Sequence, residues 1–392
     1  MDITISPSKL SGTLTAIPSK SQAHRMLICA AFADVPTAIH CPQTNRDIEA
    51  TANCLRALGA EITYNQQEYH VIPAQKVPKS AQLPCGESGS TLRFMLPIVG
   101  ALGVNGIFRL EGRLPQRPLS PLWEEMERMG CKLTRLPDGS VACEGRLRSG
   151  YYRIDGSVSS QFITGLMLAM PLIDGDCDLE ITGRIESAPY IEMTRKVMSQ
   201  FEFDTHRKYR SPGALRVEGD WSNAAFFLAA KALGSHVNVA GLDEHSAQGD
   251  RAVSELLPLL QKSNCIICAA DIPDLIPILS VVAAANHGAR FTQIERLRLK
   301  ESDRVAAVIA MLESLGGRAD ATEDTLTVYP STLCGGMVNG FNDHRIVMSA
   351  AIASTVCTAP VTVTDAEAVN KSYPDFWAEF RRLGGHYEQY LR

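Results

Sequence analysis

CLRALGAEITY, residues 54–64, reads as the end of an apolar helix, a glycine cap and a short strand. The pattern returns as MERMGCKLTRL (126–136), MLESLGGRADA (311–321) and FRRLGGHYEQY (380–390). The capping glycines are Gly59, Gly130, Gly316 and Gly384; the first two lie 71 residues apart and the last two 68. Glycine caps any helix that must end on a left-handed residue, so four caps at unrelated spacings would carry no message. The similar spacing, with weaker echoes at KVMSQFEFDTH (196–206) and LLPLLQKSNCIIC (256–268), points to about six copies of one mixed helix–strand unit.

Around these copies, ITIS (3–6), TLTAI (13–17), CDLEITG (177–183), HVNVAG (236–241) and TLTVYP (325–330) alternate or carry β-branched residues and read as strands. Helices are expected to begin near Ser21, Ser88, Ser159, Trp221 and Ser302, each beside a polar cap residue. Interleaved helices and strands make the class α/β or α+β. A chain of 392 residues exceeds one ordinary core and calls for at least two domains. The turn-rich RSPGALRVEG (210–219) is the best boundary.

Hydrophobic residues make up 45% of the chain and charged residues 21%, as in soluble globular proteins. A net charge of −5 argues against a general nucleic-acid binder. The opening MDITISPSK lacks a basic-then-apolar leader, and no apolar run reaches about 18 residues. A cytoplasmic chain with no membrane span is therefore expected. The eleven cysteines are scattered and read as reduced thiols. Cys265 and Cys268 form a C-x-x-C, but no second pair lies near and the residues between look like strand, so no metal site is expected.

Against this acidic background RLRLKESDR (296–304) holds four basic residues in nine. RLRL alternates like a strand, and KESDRVAAVIAMLESLGG reads as a helix with Lys300 and Arg304 on one face and Glu301 and Asp303 in its first turn. These charges either neutralise one another in solvent or hold an anion. Cations at a helix N-terminus oppose its dipole, which favours an anion between them. PSKSQAHR (18–25) places Lys20, Ser21 and Arg25 at another helix start, an anion site or an ordinary cap. GESGSTLRF (86–94) is neither a P-loop nor a nucleophile elbow; its Gly89 allows close approach of backbone to a ligand, or forms a plain turn. DGSVSSQF (155–162) leads an apolar helix with Ser159, Ser160 and Gln161, groups suited to sugar or phosphate oxygens. Asp271 and Asp274 precede the apolar 275–285 run, as a base or a solvated turn. Asp343, His344 and Arg345 lead a small-residue helix, and Lys371 precedes another.

Taken in order, PSKSQAHR, GESGSTLRF, QRPLSPL, DGSVSSQF, ESAPYIEMT, VEGDWSNAAFFLAA, IPDLIPILSVVAA, LRLKESDR, NDHRIVMSAA and SYPDFW resemble the 3-phosphoshikimate 1-carboxyvinyltransferase (EPSP synthase) family over residues 7 to 384. The resemblance implies two similar domains, each of three βαβαββ repeats around buried helices. One would span 18–217 and the other 1–17 plus 218–392, with the active site in the cleft between them. It implies transfer of the enolpyruvyl group of phosphoenolpyruvate to the 5-hydroxyl of shikimate 3-phosphate, by a monomer without cofactor or metal. Both substrates carry phosphate and carboxylate, which accounts for gathered cations.

By the same resemblance shikimate 3-phosphate meets Lys20, Ser21, Arg25, Ser159, Ser160, Gln161, Ser187, Asp274 and Lys300, with Tyr190 nearby. Phosphoenolpyruvate meets Lys20, Gly89, Arg117, Gln161, Arg304, Arg345 and Lys371. Asp274 would take the hydroxyl proton, Glu301 would handle the C3 proton, and Lys20 would assist. Glyphosate would occupy the phosphoenolpyruvate site beside Gly89. Arg296 and Glu87 depart from the family pattern; Glu87 must point away or pair with Arg93. The stretches near 203–216 and 262–272 look trimmed, as shortened surface loops. The alternatives are a UDP-N-acetylglucosamine enolpyruvyl transferase, whose nucleotide acceptor fits PSKSQAHR and KESDR less well, and a non-catalytic anion-binding or scaffold protein on the same fold.

Overall fold

The computed structural model describes residues 1–202 and 209–390. The chain folds as two compact units, a split one of Met1–Ile17 with Gly219–Arg392 and a continuous one of Pro18–Glu218. Each encloses its own apolar core.

Strands β1 (Asp2–Ser6) and β2 (Ser11–Thr15) open the split unit. The continuous unit begins with α1 (Lys20–Ala31), β3 (Thr37–His40), α2 (Arg46–Ala57), β4 (Glu61–Asn65) and β5 (Glu68–Ile72). Next come β6 (Ser80–Gly86), α3 (Gly89–Leu102), β7 (Asn105–Leu110), α4 (Leu122–Arg128), β8 (Cys131–Arg135) and β9 (Val141–Gly145). It closes with β10 (Gly150–Asp155), α5 (Ser160–Ala169), β11 (Cys177–Thr182), α6 (Ala188–Gln200) and β12 (Ala214–Arg216). The split unit resumes with α7 (Trp221–Ala232), β13 (His236–Ala240) and α8 (Val253–Leu260). Then follow β14 (Cys265–Cys268), α9 (Ile276–Ala284), β15 (Ala289–Thr292), α10 (Arg304–Ser314), β16 (Arg318–Ala321) and β17 (Thr325–Tyr329). The last elements are β18 (Gly336–Val338), α11 (His344–Ala353), β19 (Val361–Val363), α12 (Phe376–Arg382) and β20 (His386–Tyr390).

Four sheets share one topology: β12-β3-β5-β4, β6-β7-β9-β8, β14-β15-β17-β16 and β18-β19-β1-β20. In each, the first two strands are parallel and the remaining neighbours antiparallel. This is one βαβαββ unit repeated. Two copies complete their sheets with a strand distant in sequence, β12 in one and β1 in the other. Two smaller sheets, β10-β11 and β13-β2, are parallel pairs. Each unit thus holds two complete repeats and one described through two strands.

The four glycine caps sit at one topological point, between a repeat's second helix and its edge strand: α2/β4, α4/β8, α10/β16 and α12/β20. Their φ values of +103°, +115°, +82° and +96° are left-handed, where a side chain is strained. The echo at 256–268 is different. Residues 261–264 lead from α8 straight into β14, the first strand of the next repeat. The stretch near 262–272 that looks trimmed falls on this short connection and on β14. The echo at 196–206 and the trimmed stretch near 203–216 run into residues 203–208, outside the described residues.

The first helix of each repeat lies inside. Every residue of α9, IPILSVVAA, is buried, as expected of a helix apolar all round. Its Ile276, Ile278, Leu279, Val281 and Val282 each contribute about 1.5–3 kcal/mol by burial. Helices α7, α9 and α11 pack together in the split unit, and α1, α3 and α5 in the continuous one. Second helices bury one stripe; α2 hides Ile48, Thr51, Ala52 and Leu55. The first N–H groups of a buried helix need polar partners, and Lys20, Gly89, Ser159 and Arg345 lie at the starts of α1, α3, α5 and α11.

Candidate active site

In the split unit the RLRLKESDR stretch does not fold as its alternation suggests. Glu295–Leu299 is a 3-10 turn rather than a strand. Helix α10 starts at Arg304 because Asp303 Oδ1 accepts the N–H groups of Val305 and Ala306, both at 3.1 Å. Lys300 is extended and, with Glu301, precedes the helix. Lys300 and Arg304 therefore do not share a helix face.

Arg304 lies at the centre of the cluster and is 1% exposed. Its Nε donates to Asp343 Oδ2 at 2.9 Å, Nη1 to Asp274 Oδ1 at 2.6 Å and Nη2 to Glu301 Oε2 at 2.8 Å. Asp343 is fully buried, accepts from Ser302 Oγ at 2.8 Å, and caps α11 by accepting the Arg345 N–H at 2.9 Å. Arg345 extends over the Phe226 ring, donates Nη1 to the Ser222 carbonyl at 2.9 Å, and points Nη2 at Asp274 Oδ2, 3.4 Å away. Lys300 Nζ is 3.7 Å from Asp274 Oδ1. Lys371 ends the 3-10 turn Ala366–Lys371 and donates to the Asn342 carbonyl at 2.7 Å, just ahead of α11.

Three cations, Lys300, Arg304 and Arg345, thus meet three carboxylates, Asp274, Glu301 and Asp343. Burial pushes Asp274 up, but Lys300, Arg345 and Arg304 outweigh it and hold it well below the usual carboxylate range. Burial lowers Lys300 to about 8, with Arg296 and Arg304 adding to the effect and Asp274 opposing it.

In the continuous unit Lys20 and Ser21 open α1, and Lys20 Nζ pairs with Asp47 Oδ2 at 2.8 Å. Arg25, one turn on, is buried. It donates to the Ser21 carbonyl at 2.5 Å, Thr194 Oγ1 at 2.8 Å, the Tyr190 carbonyl at 3.1 Å and Thr164 Oγ1 at 3.3 Å. Burial brings its guanidinium down to about 10. It ties α1 to α5 and α6. Ser187, the cap position of α6, has φ 55°, a left-handed conformation rare for a residue with a side chain. Ser159 caps α5 by accepting the Gln161 N–H at 3.3 Å, with Ser160 buried between them. Gln161 accepts from Arg93 Nη1 at 2.6 Å and donates to Ser90 Oγ at 2.9 Å.

Gly89 opens α3, and Arg117 lies across it: a methyl group on Gly89 would sit 2.6 Å from Arg117 Nη1. Glu87 is turned onto the tight turn at Gly112, where a methyl group would meet its Oε2 at 2.5 Å. Within each unit the structure gathers these residues at helix N-termini. Sequence reasoning assigned no role to Asp47, Asp343, Ser90 or the Arg93–Gln161 bond. Asp343 stood in the motif beside Arg345; Asp47 lies 27 residues from Lys20, with only an acidic first turn after Asn45 to mark it. Among the described residues, no three His, Cys, Asp or Glu side chains cluster as metal ligands, and no helix is long and apolar enough to cross a membrane.

A six-repeat α/β frame with lysine, arginine, hydroxyl and carboxylate groups at or just ahead of helix N-termini fits an enzyme class that handles small anions. The chain belongs to the EPSP synthase (3-phosphoshikimate 1-carboxyvinyltransferase) family, whose model matches residues 5–380. It is 36% identical to the 3-phosphoshikimate 1-carboxyvinyltransferase of Clostridium kluyveri over 99% of this chain and 98% of that protein. It is 38% identical to that of Clostridium botulinum strain Eklund 17B, over 98% of both. The fold is shared with the EPSP synthase of Acinetobacter baumannii (TM-score 0.78, 21% identity, all of both chains). It is also shared with the enolpyruvyl transferase NikO of Streptomyces tendae (TM-score 0.73, 19% identity, 99% of this chain and 98% of that).

Proposed function

We propose that this chain transfers the enolpyruvyl group of phosphoenolpyruvate to the 5-hydroxyl of shikimate 3-phosphate, giving 5-enolpyruvylshikimate 3-phosphate and phosphate. Membership of the family over nearly the whole chain carries the reading. The Asp274–Arg304–Arg345–Lys300 cluster supports it, because it places a carboxylate among cations that an anionic substrate would claim.

The ion pairs suggest how the base becomes active. With Arg304 and Arg345 on Asp274 its carboxylate is a weak base. When phosphoenolpyruvate takes those guanidinium groups, Asp274 loses two of its three cationic partners, keeping Lys300, and its proton affinity rises. It then accepts the 5-hydroxyl proton as the hydroxyl oxygen bonds to C2 of phosphoenolpyruvate and C3 gains a proton by way of Glu301. The tetrahedral adduct loses a C3 proton and phosphate to give the enol ether. Lys20, Gly89, Arg117, Gln161 and Lys371 hold phosphoenolpyruvate. Lys20, Ser21, Arg25, Ser159, Ser160, Gln161, Ser187 and Lys300 hold the acceptor.

As proposed, the enzyme is a cytoplasmic monomer acting on two small-molecule anions, without nucleic acid, membrane, cofactor or metal. The test is phosphate release from phosphoenolpyruvate with shikimate 3-phosphate or UDP-N-acetylglucosamine as acceptor, with and without EDTA. Release that requires shikimate 3-phosphate and survives EDTA is expected. No release from folded protein, release with the nucleotide sugar alone, or loss on chelation would overturn the reading.

A further inference from the structure

Behind Arg345 lies a carboxylate that this reaction scheme does not use. Asp250, on the 3-10 turn Gly249–Ala252, is 1% exposed. It accepts the Ser222 hydroxyl on Oδ2, while the Ser222 carbonyl accepts Arg345 Nη1 at 2.9 Å. Arg345 Nη2 points the other way, to Asp274 Oδ2. One guanidinium therefore reaches the partly exposed Asp274 directly and is linked to the buried Asp250 through Ser222. The charged groups acting on Asp250 are Asp274, Arg345 and Asp220. Those acting on Asp274 are Lys300, Arg345, Arg304 and Glu301.

We propose that Asp250 is a positioning residue that, with Ser222, braces Arg345 from behind and sets how much of its positive charge is left for an anionic ligand. This rests on the reading that Arg345 grips phosphoenolpyruvate. Burial, then the negative charge of Asp274, push Asp250 up to about 7, against the pull of Arg345 and the Ser222 hydrogen bond. Protonated, Asp250 is a neutral brace and leaves the guanidinium charge to the ligand. Ionised, it competes with the ligand for that charge. Affinity for phosphoenolpyruvate thus weakens as pH rises through neutrality. The ligand's own phosphate titrates near this range, so the comparison must be with a variant under the same conditions.

The experiment measures the Kd of phosphoenolpyruvate by calorimetry at pH 6 and pH 8 for the wild type, Asp250→Asn and Arg345→Ala. Asparagine reproduces the neutral acid. It is expected to match the wild type at pH 6 and to bind up to about tenfold more tightly at pH 8, one pKa unit of coupling. A purely structural role would shift both pH values by the same factor; that result, or no difference at either pH, overturns the proposal. Ser222→Ala removes the hydroxyl bond that favours the ionised form. It should move the weakening to higher pH, and an unmoved midpoint overturns the proposal even if the asparagine variant fails to fold. If Arg345→Ala binds phosphoenolpyruvate as the wild type does, the placement of the ligand fails instead, and the proposal falls with it.

Discussion

Replacing Arg304 with methionine tests the electrostatic core of the split unit. The change keeps an unbranched apolar stem and removes the guanidinium that meets Asp274, Glu301 and Asp343. Asp274 and Glu301 keep contact with water, at 22% and 25% side-chain exposure, and Asp274 also keeps Lys300 and Arg345. The penalty therefore falls mainly on Asp343, which has no exposure. Breaking a buried pair by removing one partner costs about 3–5 kcal/mol. At about 2–4 °C per kcal/mol for a unit of this size, Tm should fall by roughly 6–20 °C near pH 7.5.

The pH dependence has a definite sign. Burial pushes Asp343 up, but Arg304 outweighs it and holds the folded value below the ordinary one. That stabilisation is present above the unfolded value of about 3.9 and is lost as pH falls through the folded value. In the variant burial acts without the arginine and raises Asp343. The deficit should then be largest near pH 7.5 and shrink toward pH 5. Scanning calorimetry at both pH values measures it. A fall below about 2 °C at pH 7.5, or an equal deficit at both, would refute the reasoning.

Asp274→Asn and Glu301→Gln should each lower kcat by about 10²–10⁴ in the phosphate-release assay; near-normal kcat in both would remove them from proton transfer. In Gly89→Ala the new methyl group meets Arg117 Nη1 at 2.6 Å, so the guanidinium must move. The wild type should be sensitive to glyphosate, and this variant should show a raised KM for phosphoenolpyruvate and a raised glyphosate inhibition constant. An unchanged inhibition constant would count against the placement. Lys300, lowered by burial to about 8, carries its charge below that pH and loses it above. The KM for shikimate 3-phosphate should therefore climb above pH 8 in the wild type and stay flat in Lys300→Arg; parallel profiles would rule out Lys300 as the cause.

The sequence by itself determined the repeats, because a helix that must reverse into an edge strand needs a left-handed residue, and glycine supplies it at Gly59, Gly130, Gly316 and Gly384. It also marked one core segment: LIPILSVVAAA is apolar on every side, and as a helix it has no face to offer water. The ordered motifs made the family legible. Alternation misled at RLRL because period-2 patterning in four residues cannot distinguish a strand from a 3-10 turn, and a local cap, Asp303, decided where α10 begins. Only the tertiary structure decided that β1 and β12 complete sheets begun far away in the chain, since strand pairing over such separations leaves no local pattern. It likewise decided the partners of the charges. From sequence Lys20, Arg304 and Arg345 are cations awaiting an anion; in the fold Asp47, Asp274, Glu301 and Asp343 meet them. Which carboxylate meets which cation depends on Coulomb energy at a few ångströms in a low-dielectric interior, and that distance exists only after the helices have packed.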